Sequence, residues 1–404
     1  MPLRSYGRPN DAALTASSSV PRPRVDLLFP AFPPQLDGIG HHTAFLAEAL
    51  SSYADVRVLT AEKNPEPRGP VDAVTAFDSY PLHSILKVSS ELRNDPPDWL
   101  LVQYNPFSYG RWGFNPFLPY LLWTIRQQPN APRIALIVHE PFVPGSRWQE
   151  YPMAIWQRSQ LWTLGRLSDA IFFSIAPWAT TFQSWFPDTP VNHLPVSSNI
   201  PRKPVTSKRA RAKRAIAEST FVLGLFGNAH PSRLLYFVRA AAEKIQEQMP
   251  SMCVLYVGAA GEAVRSALPT VPVIDAGPLP AEGVSTCFAC MNLYLAPFRK
   301  GVSSRRGSFM TGIQHGIPTL STVGIHTDAF LLDENGRSFR LTSDADPAEF
   351  ARAALELTTN PAQRTRMSHS AEHFFQSHFA WDRLARRLLS FLGATIPDFP
   401  RRRI

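Results

Sequence analysis

Short apolar runs of strand length alternate with segments of helical period through most of this chain, and the alternation happens twice. The first series predicts strands at residues 25–29, 56–60, 99–103, 133–138, 170–174 and 191–194. Helices are predicted between them at about 41–52, 117–126, 152–167 and 176–186; in the first, Phe45, Leu46, Ala49 and Leu50 share one face. A basic stretch, 201–214, interrupts the pattern. It resumes with strands at 221–226, 253–257, 273–275, 292–296 and 319–321, and helices at 231–248, about 261–267, around 282–290 and 307–315. Helical segments at 347–358, 361–377 and 381–392 close the chain. Such alternation implies parallel sheets covered on both faces, so the expected fold class is α/β with two doubly wound, Rossmann-like units in tandem. Ligands of such sheets bind beyond the carboxyl ends of the strands, which places the site in the cleft between the units. The expected division is a disordered leader over 1–24, domains over 25–200 and 201–380, and a closing helix with a basic tail over 381–404.

Composition limits what the motifs can mean. With 404 residues, 44% hydrophobic and 18% charged, each unit can bury a full core, which excludes disorder as the main state. Cys253, Cys287 and Cys290 are too few for a disulfide framework, and no apolar signal region opens the chain, so a cytoplasmic setting is expected. Cys287 and Cys290 form a C-x-x-C without a second ligand pair; buried small side chains are favoured there over a metal or redox site. The most apolar run, 114–125, is too short to span a bilayer and carries Pro116 and Pro119. The net charge of +9 is concentrated in Arg202, Lys203, Lys208, Arg209, Arg211, Lys213 and Arg214 and again in Arg401 to Arg403. A solvated charged segment is favoured there over a phosphate-bearing surface; peripheral contact with the inner membrane face stays open and no nucleic-acid partner is expected.

Two turns carry the chemistry. Gly38-Ile39-Gly40 lies between a strand and a helix, where glycine permits close backbone approach and helix amides attract anions. Ala44 and Phe45 fill the later positions, so the dinucleotide fingerprint is not met, and a plain tight turn is an equal alternative. The run from Ala296 to Ser308, APFRKGVSSRRGS, is more specific. It follows a strand, opens a helix, and supplies permanent cations, hydroxyls and unpaired amides in one loop, as a diphosphate requires.

GIGHHTAFLAEAL at Gly38 to Leu50, VHE at Val138 to Glu140, LGLFGN at Leu223 to Asn228, PFRKGVSSRRGS at Pro297 to Ser308 and HGIPTLST at His315 to Thr322 together resemble the fourth family of retaining glycosyltransferases. The likeness runs from about Val25 to Leu392. The Gly301–Ser308 loop is similar to a branch in which Arg-Arg-Gly stands where other members carry two glutamates. The resemblance implies a GT-B fold, an acceptor-side N-domain, a nucleotide-sugar-binding C-domain and a last helix that packs back across the domain boundary. It implies that Gly38 and Gly40 lie beside the donor and His139 near the transferred sugar; for His139 a histidine ending a strand is the even alternative. The family's Arg and Lys at the phosphates correspond here to Asn228, after Gly227, and Arg233, with Arg305 or Arg306 supplying the missing charge. The two family glutamates correspond to Ser303 and Thr311.

The expected donor site is therefore Gly38, Gly40, Gly227, Asn228, Arg233, Ser303, Ser304, Arg305, Arg306, Gly307, Ser308 and Thr311, with His139, Arg233 and Arg305 at the reaction centre. The resemblance implies transfer of a hexose-type sugar with retained configuration, the leaving diphosphate taking the acceptor proton. Near the motifs the carboxylates are Asp37, Glu140 and the more distant Glu150, with nothing to pair them as hydrolysis requires, and no Asp-x-Asp is present. No cofactor and no metal is expected. The acceptor is a glycan or lipid-linked, and Tyr104, Phe107, Tyr109, Trp112, Phe114, Phe142, Trp148 and Tyr151 are candidates to stack on it, against the commoner reading of simple packing. An epimerase or phosphorylase of the same architecture, or a silent nucleotide-sugar-binding protein, are the alternatives; dependence on an acceptor separates them.

Overall fold

The computed structural model describes residues 22–145, 148–228 and 230–393. Most of the expected leader, and the tail with Arg401 to Arg403, lie outside the described residues. Seven strands form the first sheet: β1 (Arg24–Leu28), β2 (Asp55–Thr60), β3 (Asp72–Thr75), β4 (Trp99–Tyr104), β5 (Arg133–Val138), β6 (Ala170–Phe173) and β7 (Val191–His193). Six form the second: β8 (Phe221–Phe226), β9 (Met252–Val257), β10 (Val273–Asp275), β11 (Leu293–Ala296), β12 (Thr319–Val323) and β13 (Arg340–Ser343). All pairings between these strands are parallel. The orders are β3-β2-β1-β4-β5-β6-β7 and β10-β9-β8-β11-β12-β13. Both are doubly wound, and the strand order reverses between β1 and β4 and again between β8 and β11, where crevices for ligands open.

The sheet interiors explain why their strands read as unbroken apolar runs. Along β1 and β4, Leu28, Leu100 and Val102 enter one buried cluster while Val25, Leu27 and Leu101 enter the cluster on the opposite face. Alternate side chains point to opposite faces, so a strand covered twice must be apolar throughout. The second of those clusters is completed from the far end of the chain. Leu384, Ala385, Leu388 and Leu389 of the helix Trp381–Phe391 pack there beside the helix Gly38–Leu50. Full burial of the three leucines contributes on the order of 5–9 kcal/mol before entropy is counted. Trp381 stacks on Phe45 with ring centroids 5.6 Å apart, and its Nε1 donates to the Ser198 carbonyl at 3.0 Å.

Several elements differ from expectation. The first helix starts at Gly38 and not near 41, because the Asp37 side chain caps it. β3 and β13 are additional edge strands, half-exposed and partly polar, so they carry no apolar run to read. Within the basic stretch, the helix Ser207–Ala212 forms, and most of the charge is used internally. Arg211 is buried and donates to the carbonyls of Cys290, Glu218 and Thr220, while Arg202, Lys203 and Lys208 pair with Glu372, Glu282 and Glu218. Cys287 and Cys290 are buried core side chains.

Candidate functional site

A cavity of about 450 Å³ opens between the carboxyl edges of the two sheets. Its N-domain wall comes from the turn after β1 and the ends of β4 and β5. Asp37 Oδ1 accepts from Ile39 N at 2.9 Å and Gly40 N at 2.7 Å, so a carboxylate already satisfies these first-turn amides. Those two amides are therefore already occupied in this structure. Gly38 does line the cavity, with its carbonyl held by Asn199 Nδ2 at 2.9 Å. Gly40 has another reason to be glycine: a Cβ there would lie 2.9 Å from the Ala31 carbonyl oxygen, so the residue lets the helix approach the β1 loop.

His139 follows β5 and lines the cavity. Its Nε2 is 2.6 Å from Gln103 Oε1; an amide oxygen can only accept, so Nε2 carries the proton and Nδ1 presents a lone pair. Burial lowers its pKa to about 4, which keeps the ring neutral. His42 packs edge-on against it with ring centroids 4.8 Å apart, and burial pushes its pKa well down too. Nδ1 of His42 is buried without a partner.

The C-domain wall is strongly cationic. The helix Gly307–Gln314 begins at the cavity with no side chain capping it, which leaves its N-terminal dipole available. Arg233 lies outside the lining and is buried after β8; it donates from Nη2 to the Phe226 carbonyl at 2.7 Å and reaches Ser308 Oγ at 3.5 Å. Arg305 Nη1 donates to Glu140 Oε1 at 2.9 Å. Arg233 and Arg306 both lie within 5.1 Å of the Phe298 ring centroid. Nε of all three arginines, and Nη1 of Arg233, are buried without partners. Burial, and next the charges of Arg305 and Arg233, lower the Arg306 pKa to about 9. Concentrated, underbonded positive charge costs stability in the empty protein, and an anion that reaches these groups recovers it.

The other expected residues divide. Gly227, Gly307, Ser308 and Thr311 line the cavity; Thr311 Oγ1 is 3.0 Å from Ser198 Oγ and donates to the Gly307 carbonyl. Asn228 is exposed and outside the lining. Ser303 and Ser304 are buried beneath it. Ser304 is a seam residue: its Oγ donates to the Ser174 carbonyl, its N–H to Asp328 Oδ2, and its carbonyl accepts from Val196 N. The loop thus puts its arginines into the cavity and its first serines into the domain contact. Gly301, which starts this loop, has φ +83°, and a Cβ there would meet Gly324 N at 2.2 Å, so only glycine fits.

Among the aromatic candidates, Tyr104 and Tyr109 are buried; the Tyr109 hydroxyl donates to the Leu28 and Gln103 carbonyls. Phe142 packs on Phe182 and Trp185. Phe107, Trp112, Phe114, Trp148 and Tyr151 are exposed. Lining residues that motif reading missed are His42, Asn105 and Asn199. His42 had a signal, since it lies two residues past Gly40 on a helix that starts at the cleft; Asn199 sits in a connection with no motif.

No protein-family model matches the sequence, and comparison with curated protein sequences finds no match. Solved structures do resemble the fold. Sucrose-phosphate synthase from Thermosynechococcus elongatus matches with a TM-score of 0.68 at 16% identity, over 92% of this chain and 98% of that one. HepE from Anabaena, in complex with UDP-glucose, matches at 0.65 and 13% identity, over 92% and 99%. A putative UDP-N-acetylglucosamine 2-epimerase from Listeria monocytogenes matches at 0.60 and 13% identity, over 94% and 100%. The chain has the GT-B fold, two Rossmann-like domains with glycosyltransferases among its structural neighbours.

Proposed function

We propose that this chain is a glycosyltransferase that moves a sugar from a nucleoside diphosphate donor in the cleft to a glycan or lipid-linked acceptor, with retention at the anomeric carbon. The observation that carries this reading is the convergence of Arg233, Arg305 and Arg306, with four buried unpaired N–H positions, on the uncapped start of the helix Gly307–Gln314. A diphosphate gains negative charge as its bond to the sugar breaks, and fixed cations and amides at that point stabilise the transition state more than the ground state. Glu140, the carboxylate at the cavity, is held by Arg305, which argues against its acting as a free nucleophile. In the proposed step the acceptor oxygen bonds to the anomeric carbon, the bond from that carbon to the phosphate oxygen breaks, and the acceptor proton passes to the diphosphate. Neutral His139, offering a lone pair at Nδ1, is placed to hold a sugar hydroxyl. This chemistry needs no divalent cation.

The test is thermal unfolding against uridine, guanosine and adenosine nucleosides, their diphosphates and their diphosphate sugars. A diphosphate at a hundred times its Kd stabilises the folded chain by about 2.7 kcal/mol. Stabilisation by one base family, with diphosphate far better than nucleoside, supports the reading; no effect from any diphosphate overturns it. The epimerase alternative separates from transfer because it converts donor without an acceptor, and a silent binder converts nothing.

A further inference from the structure

Large exposed hydrophobic side chains are unevenly spread over this molecule. Trp112, Phe114, Trp148, Tyr151, Ile155 and Trp162 all belong to one part of the N-domain, with exposures of 47–77%. On the helix Tyr151–Arg166, Tyr151, Ile155, Arg158 and Trp162 stand four, seven and eleven residues apart, spacings that return to the same side of an α-helix. The opposite side, with Ala154, Leu161 and Leu164, is buried. The neighbouring loop joins the same surface: Phe114 meets Trp156 with ring centroids 5.9 Å apart, and Trp156 Nε1 donates to the Trp112 carbonyl at 3.2 Å.

Glu150 lies in the turn between Trp148 and Tyr151, so this face carries one carboxylate beside the arginines Arg111 and Arg158. Neither the helix Tyr151–Arg166 nor the helix Phe117–Arg126 beside it contains Asp or Glu. The Arg111 guanidinium lies 4.8 Å from the Trp112 ring centroid and that of Arg158 4.9 Å from the Phe142 centroid, so each cation stacks on an aromatic ring of this part of the domain. Tryptophan and tyrosine combined with arginine are the side chains that settle at a bilayer's headgroup level. In the basic stretch around Arg211, by contrast, Arg202, Lys203 and Lys208 are each paired with a carboxylate.

We propose that this face docks the protein on an anionic phospholipid bilayer, with the rings in the headgroup region and Arg111 and Arg158 on lipid phosphates. Arg111 also lines a cavity of about 280 Å³ with Tyr80 and Phe107. That cavity shares Ser79 and Phe107 with a second one, which shares Ile39 and Asn105 with the donor cavity. These cavities lie side by side between Arg111 and the donor cavity, and, resting on the reading of the chain as a glycosyltransferase, they set the path by which the headgroup of a lipid-linked acceptor would approach from the bilayer.

The experiment is flotation of the full chain with vesicles of phosphatidylcholine alone and with about 30 mol% phosphatidylglycerol, at low and high ionic strength. Expected is binding to the anionic vesicles only, weakened by salt, and reduced about tenfold or more both in Tyr151→Ser/Ile155→Ser/Trp162→Ser and in Arg111→Gln/Arg158→Gln. Because these positions are exposed, unfolding temperature and diphosphate-induced stabilisation stay as in the parent. Loss of vesicle binding and loss of donor binding are therefore separate readouts. No flotation of the parent chain, or equal flotation of the variants, overturns the proposal. So does lipid-independent self-association that the same substitutions abolish, which would assign the face to a second copy of the chain.

Discussion

Arg305 Nη1 and Glu140 Oε1 meet at 2.9 Å across the cleft, joining the C-domain loop Gly301–Ser308 to the end of β5. The carboxylate is 40% exposed and so partly screened by solvent. An incoming diphosphate competes with it for the same guanidinium. Glu140→Gln is expected to raise diphosphate affinity by about two- to fivefold, since pairs of this exposure contribute about 0.2–1 kcal/mol. Calorimetric titration measures it. A fall in affinity would instead show that Glu140 itself holds the donor.

Arg306→Ala should lower diphosphate affinity about tenfold or more while leaving nucleoside affinity nearly unchanged, because a charged hydrogen bond contributes about 1.5–3 kcal/mol. The empty protein should not suffer: the substitution removes a half-buried cation from beside Arg233 and Arg305, whose charges already depress its pKa. Unfolding temperatures without and with ligand check both halves. Equal losses for nucleoside and diphosphate would remove Arg306 from the phosphate site.

His139→Ala should slow sugar transfer and spare diphosphate affinity, since the ring lies on the N-domain wall and is neutral, with no charge to offer a phosphate. A lower melting temperature with unchanged transfer would make the His139–Gln103 pair purely structural.

Stability should fall as pH drops below neutrality. His139, His193 and His315 have pKa values lowered to about 4, in each case chiefly by burial, and His42 is lowered as well. A histidine with a depressed folded-state pKa is neutral in the native state and takes a proton on unfolding. Its stabilising contribution is complete above the unfolded value of about 6.5 and is lost as pH falls toward about 4, by up to about 1.4 kcal/mol per pH unit for each group. Urea midpoints at pH 7.5, 6, 5 and 4.5 (about these values) read the slope. A flat profile would mean that these rings reach solvent.

Chelation is expected to leave sugar transfer intact. The loop that faces the cavity supplies guanidiniums and helix amides, and the nearby Glu140 is already paired, so a hard cation meets like charge and lacks a carboxylate shell. An assay in excess EDTA decides. Loss of transfer, restored by magnesium, would require Asp37 or Glu140 to be reconsidered as ligands.

The parts of this molecule that sequence pattern exposes are those with local causes. β4 and β6 are covered on both faces and therefore spell apolar runs; β3 and β13, at sheet edges, do not. The Arg305-Arg306 loop was legible as a concentration of charge at the cleft because cations, small residues and a helix start lie together in the chain. Its sorting into cavity arginines and seam serines was not, since the partners of Ser304 are Ser174 and Val196, far away in sequence. Asp37 misled for the opposite reason. Its capping of Ile39 and Gly40 is a local bond that occupies two of the amides the turn was expected to offer.

Asp328 ties that seam together, and its removal should couple stability to donor binding. The carboxylate is fully buried; Oδ1 accepts from Ala176 N and Oδ2 from Ser304 N, each at 2.7 Å, so one side chain holds an N-domain helix start and the loop Gly301–Ser308. Burial nonetheless outweighs these bonds and raises its pKa above the ordinary carboxylate value. Asp328→Ala leaves two buried N–H groups unpaired, at about 1–3 kcal/mol each, for an expected loss of about 2–6 kcal/mol. Asp328→Asn keeps one acceptor and turns an amide N–H toward the other donor, so an intermediate loss is expected. Because Arg305 and Arg306 follow directly on Ser304, both variants should also bind diphosphate more weakly, in the order Asn before Ala. Denaturant unfolding and diphosphate titration of the folded fraction measure the two quantities independently. A large loss of stability with unchanged diphosphate affinity would show that the arginines are positioned by their own packing on Phe298 and Trp178 and not by the seam beneath them.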